Sequence, residues 1–272
     1  MAIDLHVHST ASDGTRSPEA VVEFAHACGV TTLALADHDT LDGIRPASKR
    51  AAALGIEYIP AIELNTDVPG KGEIHILGYY IDLENDAFCT MLADRQAARV
   101  RRARGMIDRL RQVGVDLDYD EIRAAARGVV ARPHIARAMI DKGYVPDMQT
   151  ALKQYLRTGG PAYVPRDEIA AVDAIRLILA AGGVPVLAHP GLYKGEEALD
   201  SFIAAGLRGI EVYYRAHTAE QVAQYAALAR QHGLLMTGGT DCHGPGTHRD
   251  FRIGDVAIPF DILPPLREAG RR

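Results

Sequence analysis

The sequence of 272 residues has no tryptophan, few cysteines and no long hydrophobic run. Its three cysteines, Cys28, Cys89 and Cys242, lie far apart, which excludes a disulfide framework and a zinc site built from paired cysteines. No stretch of about 18 apolar residues offers a membrane span, and the first residues lack the basic and apolar regions of a signal peptide. We therefore expect a soluble, cytoplasmic protein.

The charge and the apolar content exclude further classes. A net charge of −5 argues against a general nucleic-acid coat, although it does not describe local patches. An apolar fraction of 47% is ordinary for a globular protein and excludes a disordered or collagen-like chain. The unusual feature is the presence of 11 histidines.

Short apolar runs alternate with helical stretches along most of the chain. The runs cover residues 3–7, 31–36, 57–64, 74–81, 184–188, 209–214 and 234–238. Helices are expected from Pro18, after the N-cap Ser17, and over 43–54, 168–181 and 218–232. Strand, helix and glycine in repeated order predict parallel βα units, in a barrel or in an open doubly wound sheet.

The middle of the chain follows a different pattern. Residues 91–165 contain no convincing strand, and Val100, Ala103, Ile107 and Leu110 form one apolar helical stripe. We interpret 91–165 as a helical insertion that contributes to the substrate pocket, between two arms, 1–90 and 166–272, that form one α/β barrel. The tail, residues 263–272, is expected to be frayed.

Acidic and imidazole side chains stand where the predicted strands end. They are His6, His8, Asp37, His38, Asp39, Glu63, His189, Asp241 and His243, joined by Asp13 in the loop after the first strand and by His75 on the fourth run. Residues two apart on a strand share a face, roughly 6.5–7 Å apart, and the carboxyl ends of parallel strands meet at one mouth of a barrel. This placement favours the barrel over the open sheet. The pattern alone does not place His75, near the start of its run, or His134, in the insertion.

Mixed nitrogen and oxygen ligands without thiolate suit Mn²⁺, Fe²⁺, Zn²⁺ or Mg²⁺, and this many ligands suit two or three ions. Such a pocket would attract an anion such as phosphate, and clustered ions activate water for phosphoester hydrolysis. An amidohydrolase is the nearest competitor, but no lysine ends a predicted strand, and Glu63 fits the bridging position instead. Asp39 is interpreted as a helix N-cap and Glu211 as barrel packing. Surface positions are expected for His26, His217, His232 and His248.

Several motifs together resemble the PHP (polymerase and histidinol phosphatase) family. They are Asp4-Leu5-His6-Val7-His8-Ser9, Ser12-Asp13-Gly14, Ala36-Asp37-His38-Asp39-Thr40, Ile62-Glu63, His75-Ile76-Leu77-Gly78, Ala188-His189-Pro190-Gly191 and Gly239-Thr240-Asp241-Cys242-His243. The resemblance implies a distorted seven-stranded (β/α)7 barrel with a trinuclear metal site, in which manganese is expected and iron or zinc are alternatives. It assigns one ion to His6, His8, Glu63 and Asp241, a second to Glu63, His75 and His134, and a third to Asp13, His38, His189 and His243. His189 is alternatively a phosphate contact.

Within the family, Ala131-Arg132-Pro133-His134-Ile135-Ala136-Arg137, Tyr155-Leu156 and Gly160-Pro161-Ala162-Tyr163-Val164 are similar to a bacterial group of nucleoside 3′,5′-bisphosphate phosphatases and 5′–3′ exoribonucleases. The similarity implies that Arg132 clamps phosphate, with Arg137 and Tyr163 as further substrate contacts. Asp13 or His189 would protonate the leaving oxygen.

The expected function is metal-dependent release of phosphate from a small nucleotide, such as the 3′-phosphate of a nucleoside 3′,5′-bisphosphate. The alternatives are a 5′–3′ exoribonuclease acting on short RNA, a histidinol phosphatase, and, from a different class, a non-catalytic metal-stabilised module. The arginines of residues 95–111 are expected to form a solvated helix face rather than an RNA-binding wall, and Tyr155, Tyr163 or Tyr193 are the candidate base contacts. Neither a membrane nor an obligate protein partner is expected.

Overall fold

The computed structural model describes residues 2–68, 72–126, 130–165, 169–192, 198–247 and 249–271. The chain forms two compact units, called here the strand unit (Met1–Thr90 with Glu168–Arg272) and the helical unit (Met91–Asp167). The strands are β1 (Ala2–Val7), β2 (Val30–Leu35), β3 (Glu57–Tyr58), β4 (Ala61–Val68), β5 (Gly72–Tyr79), β6 (Ile169–Ala170), β7 (Val184–Leu187), β8 (Gly209–Tyr214) and β9 (Leu235–Gly239). The helices are α1 (Pro18–Ala27), α2 (Ile44–Leu54), α3 (Asp86–Gln112), α4 (Tyr119–Ala126), α5 (Arg132–Asp141), α6 (Met148–Thr150) continued by a π-helical turn (Ala151–Leu156), α7 (Ala171–Ala180), α8 (Leu199–Ala205), α9 (Ala219–His232) and α10 (Leu263–Ala269).

The strands of the strand unit close into a ring. One sheet has the order β1-β2-β3, and the other has the order β6-β4-β5-β7-β8-β9. The two sheets meet where Val7 pairs with Cys242 and where His38 pairs with Glu63, both in parallel. Seven strands, β1, β2, β4, β5, β7, β8 and β9, therefore follow one another around the ring, as a barrel requires.

Strand β5 runs against its neighbours, which corrects the expectation of an all-parallel barrel. It pairs antiparallel with both β4 and β7. Because its direction is reversed, its first half lies at the edge where the neighbouring strands end. His75 accordingly lies opposite Asn65 of β4, and its carbonyl accepts the N–H of Ala188 at 3.1 Å. The reversal explains how a residue near the start of its strand lies next to residues that follow other strands.

An apolar layer fills the ring, and the C-terminal helix belongs to it. Leu77 and Tyr79 alternate with the intervening residues of β5, so they share a face with His75. They belong to one buried apolar cluster with Leu263 and Leu266 of α10. The expectation of a frayed tail is therefore wrong, since α10 is packed by its leucines.

Two other elements differ from the expected pattern. The apolar run 57–64 contains two strands, β3 and β4, and Pro60, which lacks an N–H for a sheet ladder, lies between them. The helix expected from Glu168 begins at Ala171, after the short strand β6; Glu168 itself lies outside the described residues. The expected start of α1 is confirmed, since the Ser17 hydroxyl accepts the N–H of Ala20 at 3.2 Å.

The helical unit has a hydrophobic core of its own. Ala103, Ile107 and Leu110 are buried, and Val100 packs against them, which confirms the apolar stripe. Other members of this core come from α4, α5 and the π-helical turn: Ile122, Ile135, Met139, Ala151 and Leu156. In residues 91–126 and 130–165 the structure describes helices and turns but no strand.

Across the described part of the chain, no helix has both the length and the apolar character needed to cross a membrane.

Candidate metal centre

All the expected metal ligands except His134 lie in the strand unit, around the mouth of the ring. They are His6, His8, Asp13, His38, Glu63, His75, His189, Asp241 and His243. All of them are buried apart from Asp13, whose side chain is 29% exposed. Histidine and carboxylate side chains are rarely buried together unless they bind each other or a cation.

The ligand atoms form three overlapping groups, each with all of its atoms within 4.8 Å of one another. The groups are His6, His8, Glu63 and Asp241; His8, Asp13, His38 and His243; and His38, Glu63 and His75. The first contains the residues that the resemblance assigns to one ion. The second group contains His8 in place of the expected His189. The third group contains His38 in place of the expected His134. The assignment of particular residues to particular ions stays a prediction.

Glu63 lies between the groups. Its Oε1 is 2.8 Å from His75 Nδ1 and 2.9 Å from His189 Nε2, while its Oε2 is 3.3 Å from His8 Nε2 and 3.0 Å from His38 Nδ1. The two oxygens therefore face different histidines. A carboxylate in this position can bridge two cations, as the sequence predicts for Glu63.

The inward atoms of the first group fit a cation. Four buried atoms have no hydrogen-bond partner among the described residues: His6 Nε2, His8 Nε2, Glu63 Oε2 and Asp241 Oδ1. A buried polar atom without a partner costs about 1–3 kcal/mol, so four such atoms at one point are expensive for a folded protein. Imidazole nitrogens and carboxylate oxygens are ligands for divalent transition metals. The cluster is therefore able to bind a metal ion, whose identity the ligand types do not determine.

The carboxylates of the first group stay ionised. Burial alone would raise the pKa of Glu63, but the surrounding histidines, His38 first among them, hold this pKa well below its ordinary value. Burial likewise opposes ionisation of Asp241, and the charges of His6, His8 and Arg249 hold its pKa well below the ordinary value. The centre thus retains negative charge at neutral pH, which favours a bound cation.

The pKa values of His38 and His8 shift in opposite directions. Burial lowers the pKa of His38 to about 3, which leaves the ring neutral. Burial alone would also lower the pKa of His8, but the nearby carboxylates of Asp241 and Glu63 raise it to about 9. A ligating imidazole must be neutral, so a metal ion would take the place of the proton on His8.

Glu211 holds two residues of the centre from outside. Its Oε1 lies 3.0 Å from His6 Nδ1, and its Oε2 accepts the backbone N–H of His189 at 2.8 Å. In the neutral form of the His6 ring that a metal ion requires, the first contact keeps the proton on Nδ1, so the lone pair on Nε2 points inward. The interpretation of Glu211 as barrel packing missed this role. The available signal was an ionisable residue inside an apolar strand.

Two donors hold the outer oxygen of Asp241, and neither was expected from the sequence. The Tyr214 hydroxyl donates to Asp241 Oδ2 at 3.1 Å, and Arg249 Nη1 makes an ion pair with the same oxygen. These contacts leave Oδ1 as the inward atom. No spacing pattern indicated Tyr214 or Arg249, because each acts on a residue of another segment.

Two further carboxylates fix the backbone that carries the ligands. Asp37 accepts hydrogen bonds from Ser9 N at 2.8 Å, Ser9 Oγ at 2.7 Å and Ser12 Oγ at 2.6 Å. Asp4 accepts from Thr240 N at 2.9 Å and Thr240 Oγ1 at 2.7 Å. The first set shapes the loop after β1, and the second set fixes the end of β9 against β1.

Backbone strain is concentrated at this centre. Asp39, His189 and Asp241 have positive φ angles of 52°, 25° and 56°, a region that side chains with a Cβ rarely adopt. Asp39 is not the helix N-cap that the sequence predicts, because its Oδ2 accepts from Asn65 Nδ2 at 3.0 Å and Gly43 precedes α2. It holds β4 at the mouth of the ring instead.

The other expected site residues lie in the helical unit. Arg132 is the first residue of α5, Arg137 is exposed on the same helix, and Tyr163 is half-buried. Nδ1 of His134 accepts the N–H of Ala131 at 3.0 Å, so the neutral ring carries its proton on Nε2. To bind an ion, His134 would have to give up this hydrogen bond. The roles expected for these four residues stay predictions.

His217, one of the four histidines expected at the surface, makes hydrogen bonds through both of its ring nitrogens. His26 is exposed, and His248 lies outside the described residues. His217 donates from Nδ1 to Val212 O at 2.9 Å, and its Nε2 accepts the N–H of Gly191 at 3.2 Å. The expectation of a solvated His217 is therefore wrong, because the ring ties the turn after His189 to the loop after β8.

Arginines of α3 are paired with neighbours. Arg111 Nε lies 3.2 Å from Asp116 Oδ1, and the Arg104 guanidinium lies 4.1 Å from the centroid of the Tyr119 ring. Both side chains are more than half exposed, at 57% and 53%. These arginines fit the expected solvated face. The candidate base contact Tyr193 lies outside the described residues.

Comparisons with known proteins agree with this geometry. The family model described as PHP domain matches residues 4–160. The chain is 36% identical to a 3′,5′-nucleoside bisphosphate phosphatase of Chromobacterium violaceum over 251 residues, which cover 90% of this chain and 88% of the relative. It is 38% identical to a 5′-3′ exoribonuclease of Haemophilus influenzae over 247 residues, which cover 89% of this chain and 90% of the relative.

A solved structure is also similar. A protein of Bifidobacterium adolescentis, assigned as a metal-dependent phosphoesterase, superposes with a TM-score of 0.88 at 31% identity. The superposition covers 98% of this chain and 96% of that chain. The expected α/β fold class is confirmed by this likeness.

Proposed function

The chain belongs to the PHP domain family of metal-dependent phosphoesterases, and from that premise we propose that it releases the 3′-phosphate of a nucleoside 3′,5′-bisphosphate. The family and the enzyme class, a hydrolase of phosphoric esters, are those expected from the sequence. The relative of Chromobacterium violaceum supports the choice of substrate.

The observation that carries the proposal is the set of buried inward atoms on His6, His8, Glu63 and Asp241 for which the described part of the chain offers no hydrogen-bond partner. Divalent ions bound by such atoms polarise a phosphoryl oxygen and lower the pKa of a bound water, which supplies a nucleophile at neutral pH. Two or three ions, manganese in our proposal with iron or zinc as alternatives, would outweigh the carboxylates and favour a phosphate group.

We assign the residues around the centre to metal binding and to proton transfer. His6, His8, Glu63 and Asp241 would hold one ion, Glu63, His75 and His134 a second, and Asp13, His38 and His243 a third. His189, buried beside Glu63, is assigned as a ligand or a phosphate contact. Asp13 is the member of the centre with an exposed side chain, so it is the first that a substrate would reach. Asp13 or His189 would then protonate the leaving oxygen, after taking up the proton that the attacking water releases.

The helical unit is assigned to the substrate. Arg132 would clamp phosphate, because a guanidinium binds phosphate through two parallel hydrogen bonds and stays charged. Arg137 and Tyr163 would contact the rest of the nucleotide. In this proposal residues 91–165 contribute to the substrate pocket, while the strand unit supplies the metal centre.

A 5′–3′ exoribonuclease is the second candidate, and one observation favours it. A relative with that name is 38% identical to this chain over most of its length. The same metal chemistry would cleave a phosphodiester at the end of a short RNA. The two candidates differ in the product that is released, free phosphate in one case and a mononucleotide in the other.

The test measures phosphate release, and for the RNA also the release of mononucleotides by chromatography, with Mn²⁺ and the purified full chain. Adenosine 3′,5′-bisphosphate, AMP, histidinol phosphate and a short RNA are compared at equal concentration. We expect the fastest release from the bisphosphate and a loss of more than about 100-fold in Glu63→Gln, which removes one charged oxygen from the centre. Glu19→Gln, on the exposed first turn of α1, is the control and should match the wild type.

Each outcome decides between the candidates. Faster turnover of the RNA, with mononucleotides as products, would replace the proposal by the exoribonuclease, and preference for histidinol phosphate would indicate a histidinol phosphatase. Undiminished activity in Glu63→Gln would contradict the metal centre, as would activity that persists after chelation. No hydrolysis of any of the four compounds would leave only the non-catalytic module.

A further inference from the structure

Strand β8 supplies none of the expected ligands, yet two of its side chains contact the centre. Glu211 and Tyr214 are three residues apart, so regular alternation would place them on opposite faces of the strand. The pairing with β9 shifts between them, because Glu211 lies opposite Thr237 and Tyr213 lies opposite Gly238. The extra residue of this bulge turns Tyr214 to the face of Glu211.

Glu211 uses both of its oxygens on the centre. It is fully buried, with Oε1 at 3.0 Å from His6 Nδ1 and Oε2 at 2.8 Å from the backbone N of His189. The first contact sets the tautomer of His6. The second supports the backbone of His189, whose φ of 25° is strained.

Tyr214 acts on a second residue of the centre, Asp241. Its hydroxyl donates to Asp241 Oδ2 at 3.1 Å, and its ring centroid lies 5.4 Å from that of His189. Asp241 also has a positive φ, of 56°, so its side chain needs support from outside its own backbone. The tyrosine is buried, with 4% of its surface exposed.

Two ligands share the same arrangement. In His6 the outer atom Nδ1 is held and the inner atom Nε2 has no hydrogen-bond partner among the described residues. In Asp241 the outer atom Oδ2 is held and the inner atom Oδ1 likewise has none. In each case a residue of β8 holds the outer atom: Glu211 for His6 and Tyr214 for Asp241. The inner atoms are thus aimed at one point by contacts that the protein makes without an ion.

We propose that Glu211 and Tyr214 are positioning residues, which hold His6 and Asp241 in the geometry that binds the first ion and hold the backbone of His189. The proposal rests on the ligand roles given above. The bulge in β8 is the structural device, because it brings the carboxylate and the phenol to one face. Partners of this kind typically change metal affinity by about 10- to 100-fold when they are removed.

The test measures metal binding in the full chain without any substrate. Glu211→Gln keeps the size of the side chain, but its amide can accept only one of the two hydrogen bonds and turns an NH₂ toward the other donor. Tyr214→Phe removes only the hydroxyl. We expect tightest-site Mn²⁺ affinity to fall about 10- to 100-fold in Glu211→Gln and about tenfold in Tyr214→Phe, by equilibrium dialysis with metal analysis. Tyr213→Phe, a neighbour on the same strand whose hydroxyl has no described contact with the centre, is the matched control and should bind as the wild type.

A second readout separates positioning from folding. The melting temperature of the metal-free protein reports on structure alone, and its rise on addition of Mn²⁺ reports on binding. Tyr214→Phe should keep a metal-free melting temperature near that of the wild type but show a smaller rise. Wild-type affinity in both variants would overturn the proposal, and so would a loss in Tyr213→Phe equal to that in Tyr214→Phe. Failure of the wild type to hydrolyse nucleotides would overturn the proposed function but not this result, since no substrate is present.

Discussion

At the scale of single residues, the Asp37 carboxylate makes a set of hydrogen bonds that a neutral side chain cannot make. It accepts three hydrogen bonds from Ser9 and Ser12 and is buried. In Asp37→Asn only one oxygen remains, and the amide group faces a donor. Hydrogen bonds to a buried charge contribute about 1.5–3 kcal/mol, so we expect the free energy of unfolding to fall by about 2 kcal/mol in urea titrations. Asp42→Asn, at an exposed position of the next loop, should change it by less than about 0.5 kcal/mol; equal effects of the two substitutions would contradict the role of Asp37.

That the candidate ligands meet at one site could be predicted from the sequence, but the residues that hold them could not. His6, His8 and Asp241 belong to short motifs at strand ends, and the spacing of such motifs is visible in one segment. Glu211 is 205 positions from His6, and the contact exists only because β8 and β1 belong to one ring. For the same reason Tyr214 gave no signal. Its inward direction depends on a bulge, and the alternation of apolar residues does not reveal a bulge.

At the scale of elements, the sequence indicated where most strands lie but not their direction. An apolar run buried on both faces looks the same in a parallel and in an antiparallel strand, so the run itself does not show the reversal of β5. The available signal was the short connection with Pro69-Gly70 before this run, which is too short for a helical crossover. Helix α10 was not predicted because only two leucines, Leu263 and Leu266, mark its apolar face, and two prolines lie between them. Their burial depends on the apolar layer inside the ring, which forms from several distant segments.

The ion pair between α10 and β3 gives this end of the fold a pH dependence. Arg267 Nε donates to Glu57 Oε1 at 2.6 Å, and this contact lowers the pKa of Glu57 below its ordinary value. The stabilisation is therefore complete above the ordinary pKa and is lost as the pH falls through the lowered one. Both side chains are partly exposed, so we expect Glu57→Gln to cost at most about 1 kcal/mol at pH 7, and the difference from the wild type to shrink towards zero near pH 3.

Urea titrations over this pH range test the pair. Glu84→Gln is the control, because Glu84 and its partner Arg45 are both far more exposed, at 76% and 74% of their side chains. The control should cost only a few tenths of a kcal/mol at any pH. A Glu57→Gln deficit that is constant or grows as the pH falls would show that packing, rather than charge, accounts for the effect.

At the scale of the whole molecule, the chain contains two units with separate apolar cores, and the described inward-facing ligand atoms all belong to one of them. A ligand that binds only the native state stabilises it by RT ln(1 + [L]/Kd), about 2.7 kcal/mol at a concentration 100 times Kd. The stabilisation should appear where the ligands are. The segments that metal binding stabilises therefore show which unit supplies the ligands.

We expect Mn²⁺, added to chelated protein, to slow amide hydrogen exchange at the ends of β1, β4 and β9, because these segments carry His6, His8, Glu63 and Asp241. If His134 is also a ligand, exchange at the start of α5 should slow as well, and His134→Ala should abolish that part of the change while leaving the strand unit protected. Mass spectrometry of peptic fragments resolves the two regions. Slowing in the strand unit with none in α5 would assign the ligands to the strand unit and contradict the role of His134. No slowing in either region would contradict the metal centre itself.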